Sequence, residues 1–478
     1  MRSTFTPEST RDIVARLRAA NHAFSAAFPG ASGDRQPVHT VYGGAHLFKA
    51  DTAAKMGGIA RRFVAEYLPD PVTLAKVVGL RGAERLPDAP EQLQALQEAW
   101  EADREAVRRS NEPAWMAFTV YGRVMRKLET EPIEDFRIDF EDGYGNRPDA
   151  EEDMHAAQAA EETARGLAAG TLPPFIGIRI KTFSDELAAR SIRTLDLFVS
   201  TLLGASGGRL PSGFVVTLPK VVVPEQVEAL AALLAQLEEK NGLTPRSLKL
   251  ELMVETTQSL ISSDGRVTLP LLVRAADGRC TGAHFGTYDY TAGCSITAAY
   301  QAMGHPDCDF AKHVMKVSLS GTTVMLSDGA TNIMPVPRHR AGAGQTLTAQ
   351  QLHDNRQAVH AASRLHYDDI RHSLLHAMYQ GWDLHPAQLP TRYAAIYGFF
   401  LEGLDAASRR LANFMDKAAQ ATLVGDVFDD AATGQGLLNY FLRGMSCGAL
   451  TEAEATAPGL SLEELRTRSF VKILNGRR

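Results

Sequence analysis

Short β-like runs alternate with longer helical patterns almost to the end of the chain, the signature of βα units feeding a parallel sheet. Eight such runs can be counted: VHTVYG (38–43), FRIDFED (136–142), FIGIRIK (175–181), GFVVTLPK (213–220), LKLELMVE (248–255), TGAHFGTYDY (281–290), TTVMLSDG (322–329) and GWDLHPAQ (381–388). Eight parallel strands with intervening helices close most naturally into a (β/α)8 TIM barrel, so the fold class is α/β.

The connecting segments agree. In PEQVEALAALLAQLEEKNGL, Pro224 suits a first helical turn and Gly242 a C-terminal cap, while Val227, Leu230, Leu234 and Leu237 make one apolar stripe for the outside of a barrel. The interval from about 50 to 130 holds charged helical segments and reads as a helical insertion after the first strand. After residue 400 the strand signals stop, and LDAASRRLANFMDKAAQATL and GLLNYFLRGM read as helices. The organisation expected is an N-terminal helical segment (1–36), a barrel (37–400) and a helical C-terminal domain (401–478).

Within 478 residues, 50 basic and 56 acidic side chains leave a net charge of −6, which offers no electrostatic footprint for nucleic acid or an anionic membrane. No run of 18 or more apolar residues appears, and the start, MRSTFTPESTRDIVARL, carries charges where a signal peptide needs an apolar stretch. A cytoplasmic location is expected. Cys280, Cys294, Cys308 and Cys447 form no CxxC pair, so buried reduced thiols are expected rather than disulfides or a zinc site.

Side chains alternate between the two faces of a strand, which splits each run without further assumption. Phe136, Ile138 and Phe140 oppose Arg137, Asp139 and Glu141. Ile176, Ile178 and Ile180 oppose Gly177, Arg179 and Lys181. Leu248, Leu250, Leu252 and Val254 oppose Lys249, Glu251, Met253 and Glu255. The apolar faces should meet the helices, and the charged faces then point into the barrel, where an ion costs several kcal/mol unless paired or metal-bound. Such a network could simply fill the barrel. Position argues for chemistry, because Glu141, Asp142, Arg179, Lys181, Glu255 and Asp289 fall at C-terminal strand ends, where TIM-barrel active sites are built.

Glu255 and Asp289, on neighbouring strands, would set two carboxylates on one side of the mouth. Hard oxygen donors of that number suit Mg²⁺, or Mn²⁺ in its place, which a 2-oxo acid could chelate. Arg179 offers a fixed cation to a developing oxyanion, and could equally be a structural partner of Glu141 or Asp139. Lys181 and Lys220 could in principle form a Schiff base, although an ion-pair role fits their setting better. His46 and His385 fall near strand ends without the spacing of metal ligands.

In their order along the chain, IDFEDGYG, IGIRIK, VVTLPKV, LMVETTQSL, HFGTYDYT and GWDLHPAQL resemble the motifs of the HpcH/HpaI aldolase, citrate lyase beta subunit and malate synthase superfamily, over about residues 37 to 400. The resemblance implies Glu255 and Asp289 as Mg²⁺ ligands, Arg179 as stabiliser of an enolate, and Asp139, Glu141 and Asp142 as a supporting acidic cluster. It also implies that the backbone around Gly286 and Thr287 receives a substrate carboxylate. VFDDAATGQGLLNYF is similar to the C-terminal malate synthase segment that carries the catalytic base, here Asp430; Gly434 and Gly436 depart from that pattern, and a helix cap is the alternative for Asp430. An insertion, SSDGRVTLPLLVRAADGR, separates Glu255 from Asp289, and no segment marks a coenzyme A pocket.

Three functions are therefore open. The first is a Mg²⁺-dependent carbon–carbon lyase or aldolase acting on a hydroxy acid, 2-oxo acid or acyl-CoA thioester through a metal-stabilised enolate. The second is a malate synthase-like condensation of an acyl-CoA with a 2-oxo acid, and the third a catalytically silent barrel that binds. The partner expected is a small 2-oxo or hydroxy acid, with a homo-oligomer left open.

Overall fold

The computed structural model describes residues 3–30, 34–342, 344–416, 422–424, 427–429 and 431–477. Strands β1 (His39–Gly44), β2 (Asp135–Asp139), β3 (Phe175–Arg179), β4 (Val215–Leu218), β5 (Lys249–Val254), β6 (Cys280–Phe285), β7 (Met325–Ala330) and β8 (Gln380–Asp383) close into one barrel in sequence order. Neighbours are parallel, and the seam is β1 on β8, with His39 opposite Gly381. Each strand lies within or beside its expected run.

Register explains the two environments of the sheet. Ile138, Ile178, Val216 and Leu250 form one hydrogen-bonded row across β2 to β5, and all four are fully buried beneath the helices. Each such side chain contributes roughly 1.5–3 kcal/mol by leaving water. One residue further along, Asp139, Arg179, Thr217 and Glu251 make the next row, and the pleat turns that row inward.

Helices Thr52–Tyr67, Pro71–Val78, Pro90–Ala102, Arg104–Ser110 and Glu112–Thr130 occupy the interval between β1 and β2. Chain chemistry sets their limits: Asp70 accepts from the Val72 and Thr73 amides at 2.9 Å, and Asn111 from the Ala114 amide at 3.2 Å, each just before a proline in the first turn. Helix Pro224–Asn241 ends at Gly242 with φ +66°, and Val227, Leu230, Leu234 and Leu237 are its buried stripe. Helix Pro7–Ala27 is capped by Thr6 and buries none of its residues.

Two expectations about the C-terminal part need correction. The boundary at 400/401 falls inside one helix, Leu389–Asp416, because its apolar period runs through Ile396, Phe400, Leu404, Ala407 and Leu411 without a break. Strand structure also returns: β9 (Thr422–Val424) pairs antiparallel with β10 (Val427–Asp429). Three-residue strands are too short for alternation to be read from sequence. Helix Ala431–Ser446 follows, and Asp430 lies outside the described residues. No helix among the described residues is long and apolar enough to cross a membrane. The four cysteines are free, three of them buried.

Candidate active site

Charges inside the barrel sort into two layers. In the lower one, Arg137 donates to Asp135 and, through Nη2 and Nε, to Glu251 Oε2 at 2.7 and 3.1 Å. Thr40 donates to Asp135 at 2.7 Å, and His284 Nε2 stands 3.3 Å from Glu251. The group is buried throughout. It closes upon itself, so these inward charges fill the barrel as a hydrogen-bonded ion network centred on Arg137.

The upper layer opens to the C-terminal mouth. Arg179 Nε and Nη2 donate to the two oxygens of Asp139 at 2.7 and 2.6 Å, a bidentate pair. Its Nη1 lies 3.1 Å from Glu141 and 3.7 Å from Asp142, and the guanidinium sits 4.7 Å above the Tyr42 ring. Asp139 also accepts the Glu141 and Gly143 amides at 3.0 and 2.7 Å. Burial alone would raise the Asp139 carboxyl, but Arg179 outweighs it and holds the acid below its ordinary range. Burial would likewise lower Arg179, and Asp139 with Glu141 holds it well above. The result is a cation fixed in charge and in orientation.

Lys220 follows β4 in a left-handed conformation, φ +50°, uncommon for a residue with a side chain. Its amide donates to Glu255 Oε1 at 2.7 Å. Its ammonium bonds Glu141 and lies 3.5 Å from Asp142 and 3.4 Å from Asp289. Burial would lower the Lys220 pKa, but Glu255 and Glu141 outweigh it and raise it. Lys220 is therefore an ammonium rather than the neutral amine that a Schiff base requires. Glu255 is pushed up to about 8, first by burial and then by Glu141 and Asp289. Gly286 makes room for it: a Cβ there would meet Glu255 Cβ and Oε2 at 2.5 Å.

The sequence-derived residues are thus largely gathered. Asp139, Glu141 and Asp142 stand around Arg179, and Glu141, Asp142, Glu255 and Asp289 meet at Lys220. Asp289 reaches this place from the first turn of a short helix, Thr287–Gly293, and not from β6, which ends at Phe285. The amide of Gly286 is committed to Val254 O at 2.9 Å, so it is not a donor for a substrate carboxylate. Thr287 keeps the first-turn amide of that helix, and its buried Oγ1 has no hydrogen-bond partner. Lys181 leaves the mouth: it donates to Phe140 O at 2.5 Å and pairs with buried Glu152 at 2.8 Å. His385 accepts from the Ala387 amide at 3.1 Å as a helix cap, and His46 packs on Tyr144.

Sequence reasoning missed Tyr42 and underrated Lys220. A β1 aromatic carries no mark of facing an arginine two strands away, and Lys220 belongs to the site through a backbone conformation rather than a strand position. A cavity of about 1320 Å³ lies at the opposite end, where Gln36, Lys316, Leu326 and Arg443 line the space between the strand starts and the C-terminal helices.

For a divalent cation, the test is the donor set. Glu141, Asp142, Glu255 and Asp289 are hard oxygen donors, and together with Asp139 these five carboxyl groups face two cations, Arg179 and Lys220. Carboxyl oxygens in this number suit Mg²⁺, and one ammonium already draws three of them together. The residues fit.

Fold and mouth define an eight-stranded parallel β/α barrel with a charged site at the C-terminal ends of its strands. The chain belongs to the family described as Domain of unknown function (DUF6986), whose model matches residues 17–473. No curated protein matches it. Among solved structures it is similar to a citrate lyase from Burkholderia xenovorans LB400, at 18% identity over 71% of this chain and 92% of that one, TM-score 0.49. It is similar to a Haloferax volcanii malate synthase at 16% identity over 64% and 81% of the two chains, TM-score 0.40. RipC from Yersinia pestis gives 14% identity over 56% and 90%, TM-score 0.35.

Proposed function

We propose that this chain is an enzyme that breaks a carbon–carbon bond next to a carboxylate, acting as a lyase or aldolase on a hydroxy acid, 2-oxo acid or its thioester. The observation that carries the reading is Arg179 clamped by Asp139 at 2.7 and 2.6 Å, with Glu255 and Asp289 meeting at Lys220 beside it. In the cleavage direction the substrate hydroxyl gives up its proton to a base as its carbon becomes a carbonyl, and the electron pair of the breaking bond moves onto the carbonyl oxygen of the other fragment, leaving an enolate. Arg179, unable to turn away from Asp139, presents a preorganised positive charge to that oxygen. Glu141 and Asp142 hold both cations in place, and Lys220, kept protonated, offers an ammonium to a substrate carboxylate. Glu255 and Asp289 would hold Mg²⁺ or Mn²⁺, which as a Lewis acid would orient and polarise an oxo acid.

A condensation of an acyl-CoA with a 2-oxo acid is the second reading, favoured by the segment around Asp430, the candidate base. EDTA-treated protein should be screened for thermal stabilisation by glyoxylate, pyruvate and other 2-oxo acids with and without Mg²⁺. Active fractions should then be assayed for cleavage of hydroxy acids and their thioesters, and for thiol release from acetyl-CoA. Stabilisation that needs both Mg²⁺ and the acid supports the site. No response to any of them supports a binding barrel instead. Thiol release lost in Asp430→Asn supports condensation, and cleavage untouched by that change supports the lyase.

A further inference from the structure

On the outer wall, helix Pro306–Leu319 carries Asp309 and His313 one turn apart, and helix Ala349–Leu375 brings His372 and, at its C-cap, His376 one turn apart. The ligand atoms of Asp309, His372 and His376 lie within 4.8 Å of one another, and all three residues are half-buried. His372 Nε2 is 2.8 Å from Asp309 Oδ1. The His372 and His376 ring centroids are 4.4 Å apart, and that of exposed His313 is 5.4 Å from His376.

A separate contact sets one tautomer. His376 Nδ1 lies 2.9 Å from the His372 carbonyl, which can only accept, so Nδ1 carries the proton and Nε2 keeps its lone pair. An imidazole held by an Nδ1–H to carbonyl bond is the arrangement in which metal-binding histidines are oriented. The nearest cation, Lys312, stands 3.2 Å from Asp309 and also 3.2 Å from Asp328, so its charge is shared with a second carboxylate. Lys316 is engaged by the His376 carbonyl at 2.7 Å.

We infer that Asp309, His372 and His376 form a binding site for a Zn²⁺-class transition metal that clips the two helices together, with His313 as the fourth ligand. Two or three imidazoles and one carboxylate select zinc, cobalt or nickel over Mg²⁺. Bonds of about 2.1 Å in a tetrahedral site separate ligand atoms by ~3.4 Å, a distance the cluster reaches by small side-chain shifts. The site is separate from the barrel mouth and does not depend on the proposed activity.

The test uses the full chain stripped with EDTA. Titration with Co²⁺ should produce a visible d–d band at one equivalent, competed away by Zn²⁺, and Zn²⁺ should raise the melting temperature where Mg²⁺ does not. His376→Gln should weaken Zn²⁺ binding on the order of 100-fold while leaving the metal-free melting temperature close to wild type. If that variant fails to fold, Asp309→Asn provides the same reading. Absence of both the band and the stabilisation overturns the inference, as does a band unchanged in His376→Gln. A band lost in Asp289→Asn but kept in His376→Gln places the metal at the mouth and overturns it as well.

Discussion

Replacing Arg137 by methionine removes the one cation in the lower layer and leaves Asp135 and Glu251 buried with like charge. Five hydrogen bonds disappear, one to Asp135, two to Glu251 at 2.7 and 3.1 Å, one to Thr217 Oγ1 at 3.1 Å and one to the Phe136 carbonyl at 3.3 Å, while the Thr40 bond to Asp135 and the His284 contact with Glu251 remain. Stranding a partner of a buried ion pair costs about 3–5 kcal/mol, and methionine keeps most of the packing volume, so the loss should be chiefly electrostatic. Urea unfolding followed by intrinsic fluorescence reads this as a shifted midpoint with little change in slope. The triple variant Asp135→Leu/Arg137→Met/Glu251→Leu, in which all three charges go together, should return to within ~1 kcal/mol of wild type. It should also keep any Mg²⁺-dependent response to 2-oxo acids, because the upper layer is untouched. A single Arg137→Met cost below ~1 kcal/mol would refute the view that this layer is a closed ion network held together by Arg137.

Other expectations concern the mouth and the barrel base. Gly286→Ala pushes a methyl group to 2.5 Å from Glu255 Cβ and Oε2; calorimetry should register about 1–3 kcal/mol of overpacking strain together with weaker Mg²⁺ binding. Arg179→Lys keeps the charge but loses the two-point clamp on Asp139, so Mg²⁺-dependent turnover should fall on the order of 10²–10³-fold, and unchanged turnover would remove Arg179 from the chemistry. Burial tends to raise Glu131, yet hydrogen bonds from Arg35 and Lys127 bring it down from 4.5 to about 2. Its contribution is therefore present above pH 4.5 and is lost as pH falls toward 2, so the deficit of Glu131→Gln, about 1–2 kcal/mol near neutrality after screening, should shrink steadily on acidification. A deficit that grows instead would reverse the sign of that argument.

The barrel was legible because strand alternation is a local property. Phe136, Ile138, Ile176 and Ile178 mark one face of their strands without reference to any neighbour, and Asp139 and Arg179 fall on the other by the same rule. What could not be read depends on backbone detail or on distant packing. The left-handed turn at Lys220 aims its amide at Glu255, and the Gly286 amide is consumed by Val254. Neither leaves a trace in residue type. The spacing of His372 and His376 is visible on one helix, but Asp309 joins them only across a separation of 63 residues. The helix Leu389–Asp416 crosses the expected domain boundary because helical periodicity alone carries no record of where a barrel stops.

Most barrels stand their working end on a stopper of hydrocarbon. Here the floor beneath the mouth is itself ionic, with Arg137, Asp135 and Glu251 locked to one another under Arg179 and Asp139. Such a floor tolerates change in sets rather than singly, since any one charge altered unbalances its companions.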